Sequence, residues 1–126
     1  MDEKTFSTYR RRLGKTQKVM AQLLGTSLKA VHSYEQGWRH IPPHVQRQVY
    51  FLLARQNGRD AAKEPCWEQK GCPEERRSKC PAWEFDSGDL CWFVNGTICQ
   101  GEPHSSWKEK IVHCLRCPVL TDQINA

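Results

Sequence analysis

Residues 13–42, LGKTQKVMAQLLGTSLKAVHSYEQGWRHIP, decide how this chain is read. Gly14, Gly25 and Gly37 cut the stretch into short pieces, and Thr16 and Ser27 stand where a side-chain oxygen can cap the first turn of a helix. The piece opened by Thr16 and ended by Gly25 places Val19, Met20, Leu23 and Leu24 on its inner side. The next, opened by Ser27 and ended by Gly37, carries Val31 and Tyr34 at helical spacing. Upstream, Phe6, Tyr9 and Leu13 repeat that spacing, with Arg10, Arg11 and Arg12 on the outer face, and Gly14 stops the helix. Downstream, Pro42-Pro43 open a fourth helix with Val45, Val49, Leu52 and Leu53 on one face. The expectation is an all-α domain of four short helices.

Gly-centred turns between short helices are the sequence mark of a helix-turn-helix. On Leu13-Gly14, Thr16-Gln17, Ala21, Leu24-Gly25, Ser27, Val31, Tyr34-Glu35, Gly37 and Pro42, the stretch resembles the Cro/repressor-type (XRE-like) helix-turn-helix. Ala21 is small where two helices cross, Gly25 permits a tight turn, and Val31 and Tyr34 fill the core. The resemblance implies a recognition helix over residues 27–36 lying in the major groove of double-stranded DNA. Ser27 starts it, and its outward positions are Leu28, Lys29, His32 and Ser33. Lys29 is the best base reader, able to donate to guanine O6 and N7. His32 and Ser33 can bond bases or phosphates, and Leu28, where a polar residue is often found, can meet a thymine methyl. Gln17 and Arg39 are placed for phosphate contacts that set register. Trp38 can pack on the domain edge or on a sugar face. A homodimer on a pseudo-palindromic operator is expected.

Working outward, the chain has 126 residues, with 19 Lys+Arg against 14 Asp+Glu, a formal charge of +5, 38% apolar residues and a mean hydropathy of −0.74. No run of about 18 apolar residues exists, which excludes a transmembrane helix, and no membrane partner is expected. Met1-Asp2-Glu3-Lys4, with no apolar segment behind it, reads as a start without a secretory leader, so the expected location is cytoplasmic. The charge is divided. Residues 1–63 hold 12 Lys+Arg and 4 Asp+Glu, net +8, with no cysteine. Residues 64–126 hold 7 and 10, net −3, with all seven cysteines and four of the five tryptophans. Such asymmetry suggests a basic module facing a polyanion, joined to a module of different purpose. The join is expected at 56–63, Gln56-Asn57-Gly58-Arg59-Asp60-Ala61-Ala62-Lys63, where Asn-Gly is a helix stop. The expected organisation is a DNA-binding domain over 1–56, a linker over 57–63, a cysteine-rich domain over 64–120 and a tail over 121–126. Each half is about 60 residues, where an apolar core alone is marginal and staples are common.

The cysteines are Cys66, Cys72, Cys80, Cys91, Cys99, Cys114 and Cys117, separated by 5, 7, 10, 7, 14 and 2 residues. Only Cys114-Leu115-Arg116-Cys117 is a tight Cys-x2-Cys, the spacing that brings two sulfurs to one metal. The rest match neither a ferredoxin run nor an ordinary zinc finger. On Cys66-Trp67-Glu68, Cys72, Cys80-Pro81-Ala82, Cys91-Trp92, Gly96-Thr97 with Cys99, Lys110, and Cys114-x2-Cys117, residues 66–119 resemble the small bacterial two-CW cysteine-rich domain. That family is appended to signalling and regulatory proteins, which implies sensing or regulation and a signalling protein as a further partner.

In a cytosolic chain, seven thiols are not a secreted disulfide framework, and an odd number does not pair completely within one chain. Four thiolates can close a zinc site, or hold a [4Fe–4S] cluster with three left over, and the uneven spacing leans toward iron–sulfur. Trp67, Trp83, Trp92 and Trp107 suit shielding of such a cluster and equally suit a small core. Unmetallated redox thiols and inert buried thiols stay open alongside; Lys79 beside Cys80 and Arg116 beside Cys117 can lower thiol pKa values. His104 and His113 are candidate ligands, though a lone histidine is more often surface or core. This half is therefore expected to be small, irregular and stabilised by a metal or cluster. No phosphate loop, nucleophile elbow or His-Glu-x-x-His motif is present, so an enzyme is not expected. The expected function is a sequence-specific transcriptional regulator with a metal-, iron–sulfur- or redox-responsive domain. The alternative is a protein-interaction adaptor with a structural zinc site and no operator.

Overall fold

Three side-chain caps start the first three helices. Asp2 accepts from the Thr5 amide at 2.7 Å and opens α1 (Glu3–Arg12). Thr16 accepts from the Val19 amide and opens α2 (Gln17–Leu24); Ser27 accepts from the Ala30 amide at 3.0 Å and opens α3 (Leu28–Gln36). Each cap satisfies an amide that a helix end would otherwise leave without a partner. α2 and α3 both end on a left-handed glycine, Gly25 at φ 67° and Gly37 at φ 76°, a conformation costly for any residue with a Cβ. α4 (Pro43–Gln56) begins with a proline where its missing N–H costs nothing. The computed structural model describes residues 1–56, 65–94, 96–99, 102–104 and 106–124, and the chain divides into two units, Met1–Gln56 and Asn57–Ala126. The expected linker at 57–63 lies outside the described residues.

The first unit closes around Phe6, Met20, Val31, Val45, Val49, Tyr50 and Leu53, all essentially removed from water. Phe6 meets Tyr34 edge-on with ring centroids 5.7 Å apart, and Tyr9 meets Tyr50 at 5.8 Å. Two expectations about its inner face need correction. α2 buries Met20, Ala21 and Leu24, whereas Val19 and Leu23 are 36% and 45% exposed. The apolar run of α2 is wider than the arc that its neighbours cover, and the small Ala21 is what fits between the helices. Arg10 is not a solvated outer residue: its Nε lies 2.7 Å from Glu35 Oε1 on α3, and its Nη1 donates to the Lys15 carbonyl.

The second unit is built from shorter pieces: α5 (Cys66–Gln69), α6 (Glu74–Arg77), α7 (Pro81–Glu84), the hairpin β1 (Thr97–Cys99) and β2 (Glu102–His104), α8 (Trp107–Cys114) and α9 (Pro118–Ile124). The strands are antiparallel, with Thr97 opposite His104 and Cys99 opposite Glu102. Trp92, Trp107, Val119, Leu120 and Ile124 form its core. Gly88 is buried against Pro65 and Trp67, and its carbonyl accepts from the Cys66 amide at 2.9 Å. Two corrections follow here also. This half is not wholly irregular, because its described residues are largely short helices. Residues 121–124, expected in a tail, belong to α9, whose Gln123 and Ile124 are buried, with Gln123 donating to the Asp89 carbonyl. Among the described residues, no helix is long and apolar enough to cross a membrane.

Candidate functional site

α3 is held from behind and bare in front. Its buried residues, Ala30, Val31, Ser33 and Tyr34, recur at helical spacing and turn the opposite face outward. On that outer face Lys29 and His32 are exposed, and Leu28 is 50% exposed. Ser27 is exposed at the start, with its hydroxyl engaged in capping the helix. Beyond Gly37 the chain presents Trp38, 73% exposed, then Arg39 and His40, also exposed. The His32 and Trp38 rings meet edge-on, 5.5 Å apart, so the outer face of α3 has an aromatic corner.

Two of the expected contact residues stand differently. Ser33 is buried, and its hydroxyl donates to the Lys29 carbonyl at 2.9 Å. It falls on the inward arc with Ala30 and Tyr34, which removes it from the outer set. Gln17, at the first turn of α2, is half-buried and donates its side-chain amide to Glu35 Oε2. Glu35 thus ties α1, α2 and α3 together, a role that the sequence reading did not give it. Burial by itself raises its pKa, but the hydrogen bonds from Arg10, Gln17 and Ser7 outweigh that and hold the carboxyl below its ordinary value.

In the second unit, all seven cysteines line one cavity of about 170 Å³. They come from α5, β1, α8 and the turns between elements, so residues up to 51 positions apart in sequence face one space. None forms a disulfide. Trp67 and Trp83 line the same cavity, ring centroids 4.9 Å apart, with the Arg77 guanidinium 4.7 Å over Trp83. Trp92 and Trp107 lie in the core instead. His113 also lines the cavity; the side chain of His104 lies outside the described residues. Among the described residues, no three Cys, His, Asp or Glu side chains already stand at the spacing of a metal site.

Cys66 and Cys91 share a hydrogen bond. That bond brings the Cys66 thiol down to about 7 against the effect of burial, and the same bond, with burial, pushes Cys91 far up. Burial raises Cys114 to about 11 and also raises Cys99 and Cys72. Cys80 Sγ accepts from the Ile98 amide at 3.2 Å, a bond suited to an electron-rich sulfur. The cations that act on the shifted thiols are Lys110, Lys70, Arg76 and Arg77. Lys79 and Arg116, chosen from sequence adjacency to Cys80 and Cys117, are exposed. Lys110 and Lys70 had no assigned role in the sequence reading; the helical interval from Lys110 to Cys114 is the signal that points to the first of them.

No protein-family model, no characterised protein and no solved structure matches this chain.

Proposed function

We propose that this protein is a DNA-binding regulator, in which residues 1–56 dock α3 in the major groove and the cysteine half carries a metal or iron–sulfur centre that governs the response. The observation that carries the reading is the outer face of α3. It is a capped helix, rigidly backed, with Lys29, His32 and Leu28 outward and Arg39 just beyond, in a half of net charge +8. The packing of α2 against α3 across the tight turn at Gly25 supports that reading, in which the second helix would be the one presented to DNA. Binding as a homodimer gives two such helices a pseudo-palindromic site.

The donor set of the cavity fits a thiolate-bound centre: seven sulfurs, cations in the wall, and no carboxylate among the described lining residues. Its volume is comparable to the roughly 150 Å³ cavity that accommodates benzene, more than one zinc ion among four sulfurs occupies. This favours an iron–sulfur cluster held by a subset of Cys66, Cys72, Cys80, Cys91, Cys99, Cys114 and Cys117. When bound, such a centre supplies a redox- or oxygen-sensitive charge within the second unit.

A second reading has its own support. Val19, Leu23 and Leu28 are exposed apolar residues of α2 and α3, and an adaptor that docks protein with a structural zinc site would use such a face. Titration of duplex DNA at several salt concentrations separates the two. The regulator reading expects a steep fall of affinity with salt, and expects Lys29→Ala to cost about 1–3 kcal/mol of base discrimination. An adaptor shows neither, and unchanged selectivity in Lys29→Ala removes Lys29 as the base reader.

A further inference from the structure

The reading of the cysteine half as a thiolate-bound centre, on which this inference rests, leaves one buried charge to account for. Lys110 sits on α8, one turn before Cys114, and is 2% exposed. Its Nζ donates to Thr97 Oγ1 on β1, itself buried, so the bond joins two elements that wall the cavity. A hydroxyl is neutral. Among the described residues no carboxylate pairs with Lys110, and none lines the cavity. An ammonium withdrawn from water without an anionic partner is strongly unfavourable. The negative charge available in that space is sulfur, and the ammonium acts electrostatically on Cys66, Cys91, Cys99 and Cys114, four of the seven.

We propose that Lys110 is the resident counter-cation of the cysteine centre, a fixed positive charge that holds the metal-bound thiolates and tunes their centre. Four thiolates outweigh the charge of a divalent metal, so a four-cysteine site is net anionic, and an iron–sulfur cluster becomes more so when it accepts an electron. A cation in the buried wall stabilises the thiolate form relative to the thiol, and the reduced cluster relative to the oxidised one. Thr97 has the lesser part: it receives one N–H of the ammonium and aims the charge across the cavity. Lys110 is therefore a positioning residue, acting through the sulfurs without ligating.

The test uses the full-length chain made metal-free without oxygen, titrated with zinc(II) against a competing chelator. Lys110→Gln keeps a donor for Thr97 and loses the charge. Thr97→Val keeps the charge and loses the bond. Lys110→Gln should weaken the apparent zinc affinity at least tenfold, with Lys110→Met behaving alike, while Lys110→Arg and Thr97→Val stay within about threefold of wild type. A neutral variant still unfolded at saturating zinc, beside a folded Thr97→Val, counts as such a loss. Where iron and sulfide are incorporated, the neutral variants should show a reduction potential about 59 mV lower for each tenfold change in a one-electron equilibrium. Wild-type affinity and potential in Lys110→Gln overturn the proposal and leave the metal centre standing. Equal losses in Lys110→Gln and Thr97→Val overturn it too, because the bond and not the charge would then matter. A wild-type chain that takes up neither zinc nor iron removes the centre itself and this inference with it.

Discussion

The two units use different means to hold short helices. In residues 1–56 the first three helices carry side-chain caps from Asp2, Thr16 and Ser27, and all four helices pack on an apolar core of Phe6, Met20, Val31, Val45, Val49 and Leu53. In the described residues of the second unit, α5, α6, α7 and α8 have no side-chain cap bond, and three of them are four residues long. A helix of one turn has nearly all its amides and carbonyls at its ends and gains little from propagation. Where the first unit has a core, the second has a core and, besides it, a cavity lined by seven thiols. The first fold is specified locally and closes by apolar burial, while the second, on the function proposed above, depends on a centre that joins its sulfurs.

The largest effect should come from removing that join. Replacing Cys114 and Cys117 together by Ser takes away the one tight pair of sulfurs. Structural zinc supplies an apparent ~10–16 kcal/mol to small metal-folded domains, far beyond what about 60 residues can spare. Hydrogen exchange resolved by segment should then show residues 65–124 losing protection and metal content falling, with residues 1–56 exchanging as before. Equal loss in both units would mean that the first does not close by itself. Full protection in both would mean that apolar packing suffices for the second.

That contrast also decides what could be read from the sequence. The caps at Thr16 and Ser27 and the stops at Gly25 and Gly37 are short-range signals, visible because one residue type at one position has one physical use. Burial on α2 was less legible: Val19 and Leu23 satisfy the helical period as well as Met20 and Leu24 do, and only the neighbours decide which arc is covered. Ser33 was misplaced for the same reason. Its polarity argues for the outer face, but its hydroxyl satisfies itself on the Lys29 carbonyl, which lets it sit inside. In the cysteine half, a four-residue helix shows no period at all. The cavity brings Cys66 to Cys91 and Cys114, and Thr97 to Lys110, through contacts far apart in sequence. Composition pointed to the seven sulfurs as a set; their convergence, and the cations behind them, belong to tertiary structure.

A smaller effect probes the second unit without touching a sulfur. A Cβ built on Gly88 would lie 2.5 Å from Pro65 Cβ and 2.7 Å from the Trp67 ring. Neither the proline nor the indole, packed on Trp83, can give way cheaply. Gly88→Ala should cost about 1–3 kcal/mol by overpacking, and the displaced segment begins with Cys66, whose amide bonds the Gly88 carbonyl. Thermal unfolding of the metal-loaded chain should show the second unit melting earlier and the first unchanged. No shift would mean that Pro65 and Trp67 are less firmly placed than the sulfur-lined wall that they adjoin.

The smallest effect belongs to the first unit and is read by acid. Glu35 joins Arg10, Gln17 and Ser7, and its carboxyl titrates below its ordinary value in the folded chain. A carboxyl depressed by folding contributes stability that is fully present above its unfolded pKa, near 4.5, and is lost as pH falls through the folded value. Glu35→Gln keeps the shape and an acceptor for Arg10, so at neutral pH it should cost about 0.5–1.5 kcal/mol, the net worth of one hydrogen bond. The gap between wild type and Glu35→Gln in the exchange protection of residues 1–56 should hold from neutral pH down to the mid-fours and close below that. A gap that persisted in acid would assign the cost to packing of the amide instead. A gap that opened in acid would reverse the sign and mean that burial, rather than Arg10, governs Glu35. The second unit has no part in this titration. Its exchange should follow its sulfurs, and a common acid midpoint for both units would break the division between a locally coded half and one proposed to be joined by a ligand.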